Sequence, residues 1–257
     1  MTLPQPTISI LTGAELCTQP ALERLAFQFR YRVFVEKLGW QALRREDRLE
    51  TDAFDTDEAV HFIISIPKPQ ATTIATTTTT PPSSNSDDDL QTRIEVVAYS
   101  RLLPTTRPHL LSTVYPHLLN DPSITSTPPT GNHIWEWTRT TAIPQPTTKK
   151  NMADDVSGFG FAVNPVGRLL LLAVVEWAVS PVAHGRPERG ALKALAVQCP
   201  PTLALALEPL GGRAEVLADP SVTEEKEEVV PMLVHVNERS PPTMRSVFGM
   251  TREERRF

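Results

Sequence analysis

Short strand-like and helix-like segments alternate along this chain, and that alternation limits the folds open to it more than any other feature. The strand-like runs at 59–66 and 94–103 have no helix-like segment between them. In contrast, a strongly apolar run that begins at Pro165 and reaches Val179 separates the strand-like runs at 133–142 and 191–197, and its length and opening proline predict a helix. Strands joined both directly and through helices indicate a mixed sheet with helices on both faces.

Several further elements are expected around this framework. Residues 7–11 alternate as a first strand does, and a helix that begins at Pro20 is expected to run to about Glu36. Residues 41–58 carry ten charged side chains without a helix or strand period, which predicts a loop with short helical turns. The other expected elements are helices at 107–119 and 202–210 and strands at 214–217 and 232–236.

The segment 67–93 differs in composition from the rest of the chain. It is rich in Thr, Pro, Ser and Asp and contains no aromatic residue, so it has little apolar surface to bury. We therefore expect a disordered insertion between two strands. The whole chain of 257 residues is otherwise expected to form one domain, 1–257, that contains this insertion.

Composition and charge exclude several function classes. The net charge of −5 argues against bulk attraction to nucleic acid, and the two cysteines are too few for a disulfide scaffold. The six histidines show no metal-site spacing, so no metal is expected. The N-terminus lacks a basic region followed by an apolar run, and the longest apolar run, Leu169–Val175, is too short to span a bilayer. These observations predict a cytoplasmic protein without a membrane partner.

Four blocks of charged and aromatic residues follow one another in the first half of the chain. They read RYRVFVEKLGW (30–40), ETDAFD (50–55), YSRLLPTTRP (99–108) and IWEWTR (134–139). Each block alone is a weak pattern, but four in this order are specific. The residues that stand out within them are Arg30, Phe34, Trp40, Asp52, Asp55, Arg101, Glu136, Thr138 and Arg139.

This ordered set resembles the acyl-homoserine-lactone synthases, the autoinducer synthases of quorum sensing. The resemblance covers about residues 24–143, apart from the insertion, and becomes looser after residue 145. It implies an α/β fold, a three-layer α/β/α sandwich with an N-acetyltransferase-like mixed sheet. It also implies an acyltransferase that acylates the amine of S-adenosylmethionine from an acyl thioester, on acyl carrier protein or coenzyme A. Lactone closure then releases methylthioadenosine, and no other cofactor is implied.

The chemistry of that reaction suggests a role for each residue type. The amine must lose a proton before it attacks, and Glu136 is the expected base. Asp52 is expected beside the cationic sulfonium, and Arg30 or Arg101 could bind the donor's carboxylate through a planar fork. Asp55 is expected to pair with an arginine and to fix its loop.

Four more residues are expected to bind substrate. Phe34 and Trp40 can stack on the adenosine or the sulfonium. Thr138 and Arg139 belong to the same strand as Glu136, and Glu136 and Arg139 can share a face only if a bulge lies near Trp137-Thr138. The implied fold carries a bulge on the corresponding strand, so we predict one there.

The second half of the chain contributes one expected substrate contact. The resemblance implies that the strand at 191–197, which ends at Val197, and the helix expected at 202–210 line the acyl pocket. Some members of that family that use 3-oxo acyl chains carry Thr at the matching position, so the resemblance implies that the apolar Val197 favours an unsubstituted or aromatic acyl group. Backbone N–H groups of the strand at 134–140 could stabilise the oxyanion.

Simpler interpretations stand beside these. Arg101 with Asp55 could be a buried structural ion pair, Arg139 could be structural, and Phe34 could be a core residue. Lys149, Lys150, Arg186 and Arg189 could form a basic patch for an acidic carrier protein or could lie in ordinary solvated loops. Two other functions also remain open: an enzyme that acylates another amine from acyl-CoA, and a catalytically silent relative that binds S-adenosylmethionine.

Overall fold

A computed structural model shows a mixed sheet with helices on both of its faces. It describes residues 5–68, 90, 93–121, 124–125, 127–143, 164–182, 185–201, 203, 207, 213–223 and 228–250. The strands are β1 (Thr7–Thr12), β2 (Val60–Pro67), β3 (Ile94–Pro104), β4 (Asn120–Asp121), β5 (Ile124–Thr125), β6 (Ile134–Ala142), β7 (Ala194–Cys199), β8 (Arg213–Val216), β9 (Ser221–Val222) and β10 (Glu228–His235). The α-helices are α1 (Gly13–Leu16), α2 (Pro20–Arg30), α3 (Leu110–Thr113), α4 (Pro165–Val179) and α5 (Ser240–Phe248).

The order of strands in the main sheet is β1-β2-β3-β6-β7-β10-β8, and β9 pairs with β10. Neighbouring strands are antiparallel except for β6 and β7, which are parallel and are connected through α4. The three-layer, N-acetyltransferase-like mixed sheet expected from the sequence is confirmed by this order and by the helices on each side. One domain over the whole chain stays a prediction.

Two apolar cores separate the three layers. Side chains alternate along β2, so that Phe62 and Ile64 pack in the core beneath α4, while Ile63 packs in the core beneath α2. The α4 helix is apolar on nearly all sides because it packs against the sheet and against α5. Its first turn is capped by the Asn164 side chain, which accepts a hydrogen bond from the backbone N–H of Val166.

The α2 helix continues as a wider π-helical turn, Tyr31–Lys37, so its helical run ends close to the expected Glu36. Leu38 donates its backbone N–H to the carbonyl of Val33, five residues back. Gly39 then adopts a positive φ of 78°, which suits glycine because it has no Cβ. The reversal brings Trp40 back onto Phe34, with ring centroids 5.0 Å apart.

Several sequence predictions need correction. The helix expected at 107–119 is limited to α3 and a 3-10 turn at Pro116–Leu119. The strand expected to begin at residue 191 begins at Ala194, and the strand expected from 232 begins at Glu228. Most of the expected insertion at 67–93 and of the expected helix at 202–210, together with Lys149 and Lys150, lies outside the described residues.

Candidate functional site

Six charged side chains from four parts of the fold meet on the α2 side of the sheet. We call them the charge cluster, and they are Arg30 of α2, Glu50, Asp52 and Asp55 of the loop before β2, Arg101 of β3 and Arg139 of β6. Three guanidinium groups face three carboxylates, so the cluster has no net formal charge. Five of these six residues were singled out from the sequence, and the structure brings all five together.

Arg30 lies at the centre of the cluster and is fully buried. Its Nε donates to Glu50, and its Nη1 donates to Asp55 Oδ1 at 2.6 Å. Burial alone would lower the pKa of Arg30, but the negative charges facing it, including those of Asp55 and Glu50, raise that pKa well above its usual value. Arg30 is therefore a permanent cation whose planar fork ties α2 to the loop.

Arg101 binds the same loop from the opposite side. Its Nη1 and Nη2 donate to the two carboxylate oxygens of Asp52 at 2.6 and 3.0 Å, and Nη1 also donates to Asp55 Oδ1 at 2.6 Å. Its Nε donates to the Thr138 hydroxyl at 3.2 Å. The ion pair between Arg101 and Asp55, which the sequence left as an alternative, is therefore present. All three guanidinium nitrogens of Arg101 already have acceptors within the protein.

The carboxylates of the cluster are held in their charged form. Burial alone would raise the pKa of Asp55, but Arg30 and Arg101 hold it well below its usual range. The pKa of Asp52 is also lowered, because Arg101 outweighs burial there. Asp55 Oδ2 accepts the backbone N–H of Asp52 at 2.8 Å, so the loop is fixed in its own turn as well. This geometry agrees with the expected role of Asp55 in fixing its loop.

Arg139 reaches the cluster through a bulge in β6. Arg101 pairs with Thr138 and Tyr99 pairs with Thr141, so β6 carries one extra residue between these pairs. Arg139 takes a positive φ of 55° there, and its Nη2 donates to Glu50 at 3.2 Å and to Asp52 at 3.1 Å. The bulge expected near Trp137-Thr138 is confirmed slightly further along the strand.

An aromatic pair covers Arg139. Its guanidinium carbon lies 5.4 Å from the Phe34 ring centroid and 5.7 Å from that of Trp40. Phe34 is buried, as the core alternative required, but it also touches the charge cluster through Arg139. Among the three acids, the Asp52 side chain is the most accessible, at 15 % exposed against 8 % for Asp55 and 0 % for Glu50. The accessible edge of the cluster therefore lies at Asp52.

Glu136 lies outside the cluster, although it is on the same strand as Thr138 and Arg139. Its carboxylate is fully buried and accepts the backbone N–H groups of Leu110 and Leu111, each at 2.7 Å, and the Gln198 amide at 3.0 Å. It thus secures the start of α3 to β6 and β7. The buried His109 ring lies 3.5 Å from the same carboxylate.

The strands β6 and β7 separate immediately beside Glu136. They pair only from Ile134 with Ala194 to Trp137 with Val197, whereas β6 continues to Ala142. Val197 is buried in the core on the α4 side, next to its partner Trp137. Beyond this point the edge of β6 that faces β7 has no ladder partner within the described part of the chain. The ladder between β6 and β7 therefore ends at Trp137 and Val197, one residue past Glu136, and we call the unpaired stretch beyond it the β6–β7 cleft.

Other candidate groups do not join the site. Burial raises the pKa of the Cys199 thiol to about 12, which does not suit a nucleophile. Arg186 pairs with Glu15, and Arg189 stacks on Trp177 at 3.9 Å, so these two arginines of the suggested basic patch have structural contacts. Within the described ranges, no group of three His, Cys, Asp or Glu side chains could hold a metal ion. No helix in those ranges is both long and apolar enough to cross a membrane.

Sequence reasoning missed three contributors. Glu50 was part of the second motif block but was given no role, although it pairs with Arg30 and Arg139. Tyr99 accepts a hydrogen bond from Arg30 Nη1 at 3.2 Å, and His61 lies 2.6 Å from the Tyr99 hydroxyl. The position of Tyr99, two residues before Arg101 on one strand face, could have indicated it.

Comparison with known proteins agrees with the sequence motifs. No family model matches the chain. The isovaleryl-homoserine lactone synthase of Bradyrhizobium diazoefficiens is 32 % identical over 113 residues, which are 44 % of this chain and 38 % of that protein. The acyl-homoserine-lactone synthase of Ralstonia solanacearum is 29 % identical over 151 residues, 58 % of this chain and 55 % of that protein. The chain thus matches about half the length of these curated relatives or less.

Solved structures share the fold over most of the length of the chain. The CoA-dependent acyl-homoserine lactone synthase BjaI, solved with SAM and isopentyl-CoA, has a TM-score of 0.64 at 20 % identity and covers 96 % of this chain and 90 % of that one. At this identity the likeness establishes the fold alone. Together, the sequence matches and the shared fold confirm the resemblance of this chain to the acyl-homoserine-lactone synthases.

Proposed function

We propose that this protein is an acyl-homoserine-lactone synthase that makes a quorum-sensing signal from S-adenosylmethionine and an acyl thioester. The observation that carries the proposal is the position of Asp52. It is the most accessible acid of a buried, charge-balanced cluster, and it pairs with Arg139, which the Phe34–Trp40 pair covers. A cationic amino-acid donor and a thioester could meet there.

The part of the site that would bind S-adenosylmethionine suits a cationic molecule that also carries an aromatic ring system. The Asp52 carboxylate would face the sulfonium, and the stacked rings of Phe34 and Trp40 would contact the adenosine. The donors of Arg30 and Arg101 are largely taken by protein acceptors, so these two residues are better suited to position Asp52 than to bind the donor's carboxylate. Arg139, whose side chain is 8 % exposed while theirs are fully buried, is the better candidate for that contact.

The acyl side of the site would be the cleft between β6 and β7. Val197 borders it on the face of the sheet that packs against α4, and Glu136 borders it on the opposite face, where the charge cluster also lies. The unpaired edge of β6 presents backbone N–H groups that could stabilise the oxyanion of a tetrahedral intermediate. Glu136 is the proposed base, acting directly or through a water, and its fixed orientation restricts where the amine can lie.

The proposed reaction has two steps. The deprotonated amine attacks the thioester carbonyl, and a C–N bond forms. The C–S bond of the thioester then breaks, and the thiolate takes up the proton that the amine nitrogen loses and leaves as the thiol. The donor carboxylate then attacks the carbon next to the sulfonium, a C–O bond closes the lactone, and methylthioadenosine leaves with the electrons of the broken C–S bond. The second step needs mainly geometry, because the sulfonium is already a good leaving group. These substrates are consistent with a cytoplasmic location and with either coenzyme A or acyl carrier protein as the acyl carrier.

A reconstitution assay tests the proposal. The purified chain is mixed with S-adenosylmethionine and a panel of straight, branched and aromatic acyl-CoAs, or with the acyl carrier protein conjugates. Mass spectrometry then measures N-acyl-homoserine lactone and methylthioadenosine. We expect both products in equal amounts from the wild type. Asp52→Asn should lose most of the activity, whereas Asp57→Asn, at an exposed carboxylate of the same loop, should keep it.

Three outcomes would redirect the proposal. An acylated amine without methylthioadenosine would indicate an acyltransferase for another amine. Binding of S-adenosylmethionine without turnover on any acyl donor would indicate a silent relative. Equal activity of wild type and Asp52→Asn would contradict the role given to Asp52.

A further inference from the structure

A buried chain of hydrogen bonds joins β2 and β3 to the charge cluster. His61 Nδ1 lies 2.6 Å from the Tyr99 hydroxyl, and Arg30 Nη1 donates to that hydroxyl oxygen at 3.2 Å. His61 is 1 % exposed, and Tyr99 and Arg30 are not exposed at all. Neither His61 nor Tyr99 has a part in the proposed reaction steps, although both are polar groups that are costly to bury without a purpose.

One assignment of donors and acceptors gives every hydrogen in this chain a partner. Arg30 can only donate, so the Tyr99 oxygen accepts from it and the single Tyr99 proton remains for His61. In this assignment His61 Nδ1 accepts the Tyr99 proton, so the imidazole is neutral. Burial, reinforced by the charges of Arg30 and Arg101 and opposed by those of Asp55 and Asp52, lowers the pKa of His61 to about 3, which agrees with a neutral ring.

The Arg30 guanidinium is held in two ways. The rings of Phe27 and Tyr99 lie 5.1 and 5.3 Å from its central carbon, which restricts the plane of the group. The hydrogen bond to the Tyr99 hydroxyl restricts rotation within that plane, so that Nε points to Glu50 and Nη1 to Asp55. A small rotation would separate Arg30 from one of these carboxylates.

We propose that Tyr99, oriented by His61, is a positioning residue that sets the Arg30 guanidinium and, through Asp55, the carboxylate of Asp52 that faces S-adenosylmethionine. The link from Asp55 to Asp52 is direct, because Asp55 Oδ2 accepts the Asp52 N–H and Asp55 Oδ1 shares Arg101 with the Asp52 carboxylate. This inference rests on the proposed function.

Steady-state kinetics of Tyr99→Phe test the inference. The substitution keeps the ring against Arg30 but removes the hydroxyl. We expect the KM for S-adenosylmethionine to rise about tenfold, the effect of one lost hydrogen bond to a charged group. The kcat and the KM for the acyl thioester should stay within about twofold, because only binding of one substrate is affected. Thr141→Val is the matched control: Thr141 pairs with Tyr99 on the next strand and has a buried hydroxyl without a hydrogen-bond partner in the described ranges.

A second pair of variants tests whether His61 acts only through Tyr99. His61→Leu should raise the same KM in the wild-type background and should have no further effect in Tyr99→Phe, because His61 acts only through Tyr99. His61→Asn offers an amide oxygen as acceptor near the Nδ1 position and should restore a KM close to the wild-type value.

The outcomes separate this inference from the proposed function. A wild type that makes no lactone overturns the proposed function and this inference with it. A wild type that makes lactone, with Tyr99→Phe unchanged in its KM for S-adenosylmethionine, overturns the positioning role alone. A fall in kcat at unchanged KM would also overturn it, because that pattern reports a smaller folded fraction. The same KM rise in Thr141→Val would do so as well.

Discussion

Replacing Asp55 with asparagine removes one of the three carboxylates that balance the guanidinium groups of the charge cluster, with little change of side-chain volume. Asp55 Oδ1 accepts from Arg30 Nη1 and Arg101 Nη1, both at 2.6 Å, and Oδ2 accepts from the Asp52 N–H at 2.8 Å. An asparagine amide must therefore point its NH₂ group at a donor in either orientation. The variant leaves a buried cluster with an excess positive charge.

The expected destabilisation is large. Removing one partner of a buried ion pair typically lowers the free energy of unfolding by about 3–5 kcal/mol. Asp55 lies at the upper end of that class, because two guanidinium groups share it. Asp57→Asn, which changes an exposed carboxylate in the same loop, should stay within about 0.5 kcal/mol of the wild type.

The effect should also depend on pH with a defined sign. Arg30 and Arg101 outweigh burial and hold the folded-state pKa of Asp55 below its unfolded value of about 3.9. A carboxylate with a lowered folded pKa stabilises the protein above its unfolded pKa and loses that contribution as the pH falls through the folded pKa. The difference between wild type and Asp55→Asn should therefore be complete at pH 7 and shrink below about pH 4.

Urea unfolding followed by tryptophan fluorescence measures both effects. The midpoint and slope are compared for wild type, Asp55→Asn and Asp57→Asn at pH 7 and at several acidic pH values. A free energy of unfolding for Asp55→Asn within about 0.5 kcal/mol of wild type at pH 7 would refute the electrostatic account of the cluster. A difference that widens on acidification would refute it equally.

Two further predictions concern the buried polar groups around the cluster. Burial lowers the pKa of His61 from the ordinary 6.5 to about 3 in the folded state, so its contribution to stability is complete above about pH 6.5. Between pH 6 and 4 the free energy of unfolding of the wild type should fall by about 1.4 kcal/mol per pH unit because of this group. In His61→Asn the free energy of unfolding, measured by denaturation at several pH values, should depend on pH less steeply by that amount. An unchanged dependence on pH would exclude a buried neutral His61. Glu136→Gln turns an NH₂ group toward the N–H of Leu110 or Leu111 or toward the amide of Gln198, and should destabilise the protein by about 1–3 kcal/mol in addition to its loss of activity. Thermal unfolding of the variant checks this, and an unshifted midpoint would argue against the capping of α3.

The sequence predicted the members of the site better than their contacts. Arg30, Asp52, Asp55, Arg101 and Arg139 were identified from the motif blocks and the family that these blocks resemble, and they do meet. Spacing could not show that each guanidinium is shared between carboxylates, because that depends on how α2, β3 and β6 pack. The separate position of Glu136 had the same cause, since its partners lie on α3 and β7.

Local signals explain where the element predictions held and where they did not. The α4 helix was predicted to its last residue, because Pro165 begins it and its apolar run is continuous. The helix expected after residue 107 was too long, because Pro116 and the carboxylate of Glu136 confine the α-helical part to one turn at Leu110–Thr113. The early start of β10 was missed because Pro231 lies inside it, where its carbonyl still accepts the N–H of Leu217.

The most direct test of the central claim is mass spectrometry of spent medium from a host that expresses this chain, with Glu136→Ala as the control. The account predicts N-acyl-homoserine lactones in the medium of the wild type and their loss in the variant, and the masses would also identify the acyl chain. Folded wild-type protein that yields no lactone, even when varied acyl precursors are supplied, would contradict the claim that this chain synthesises them.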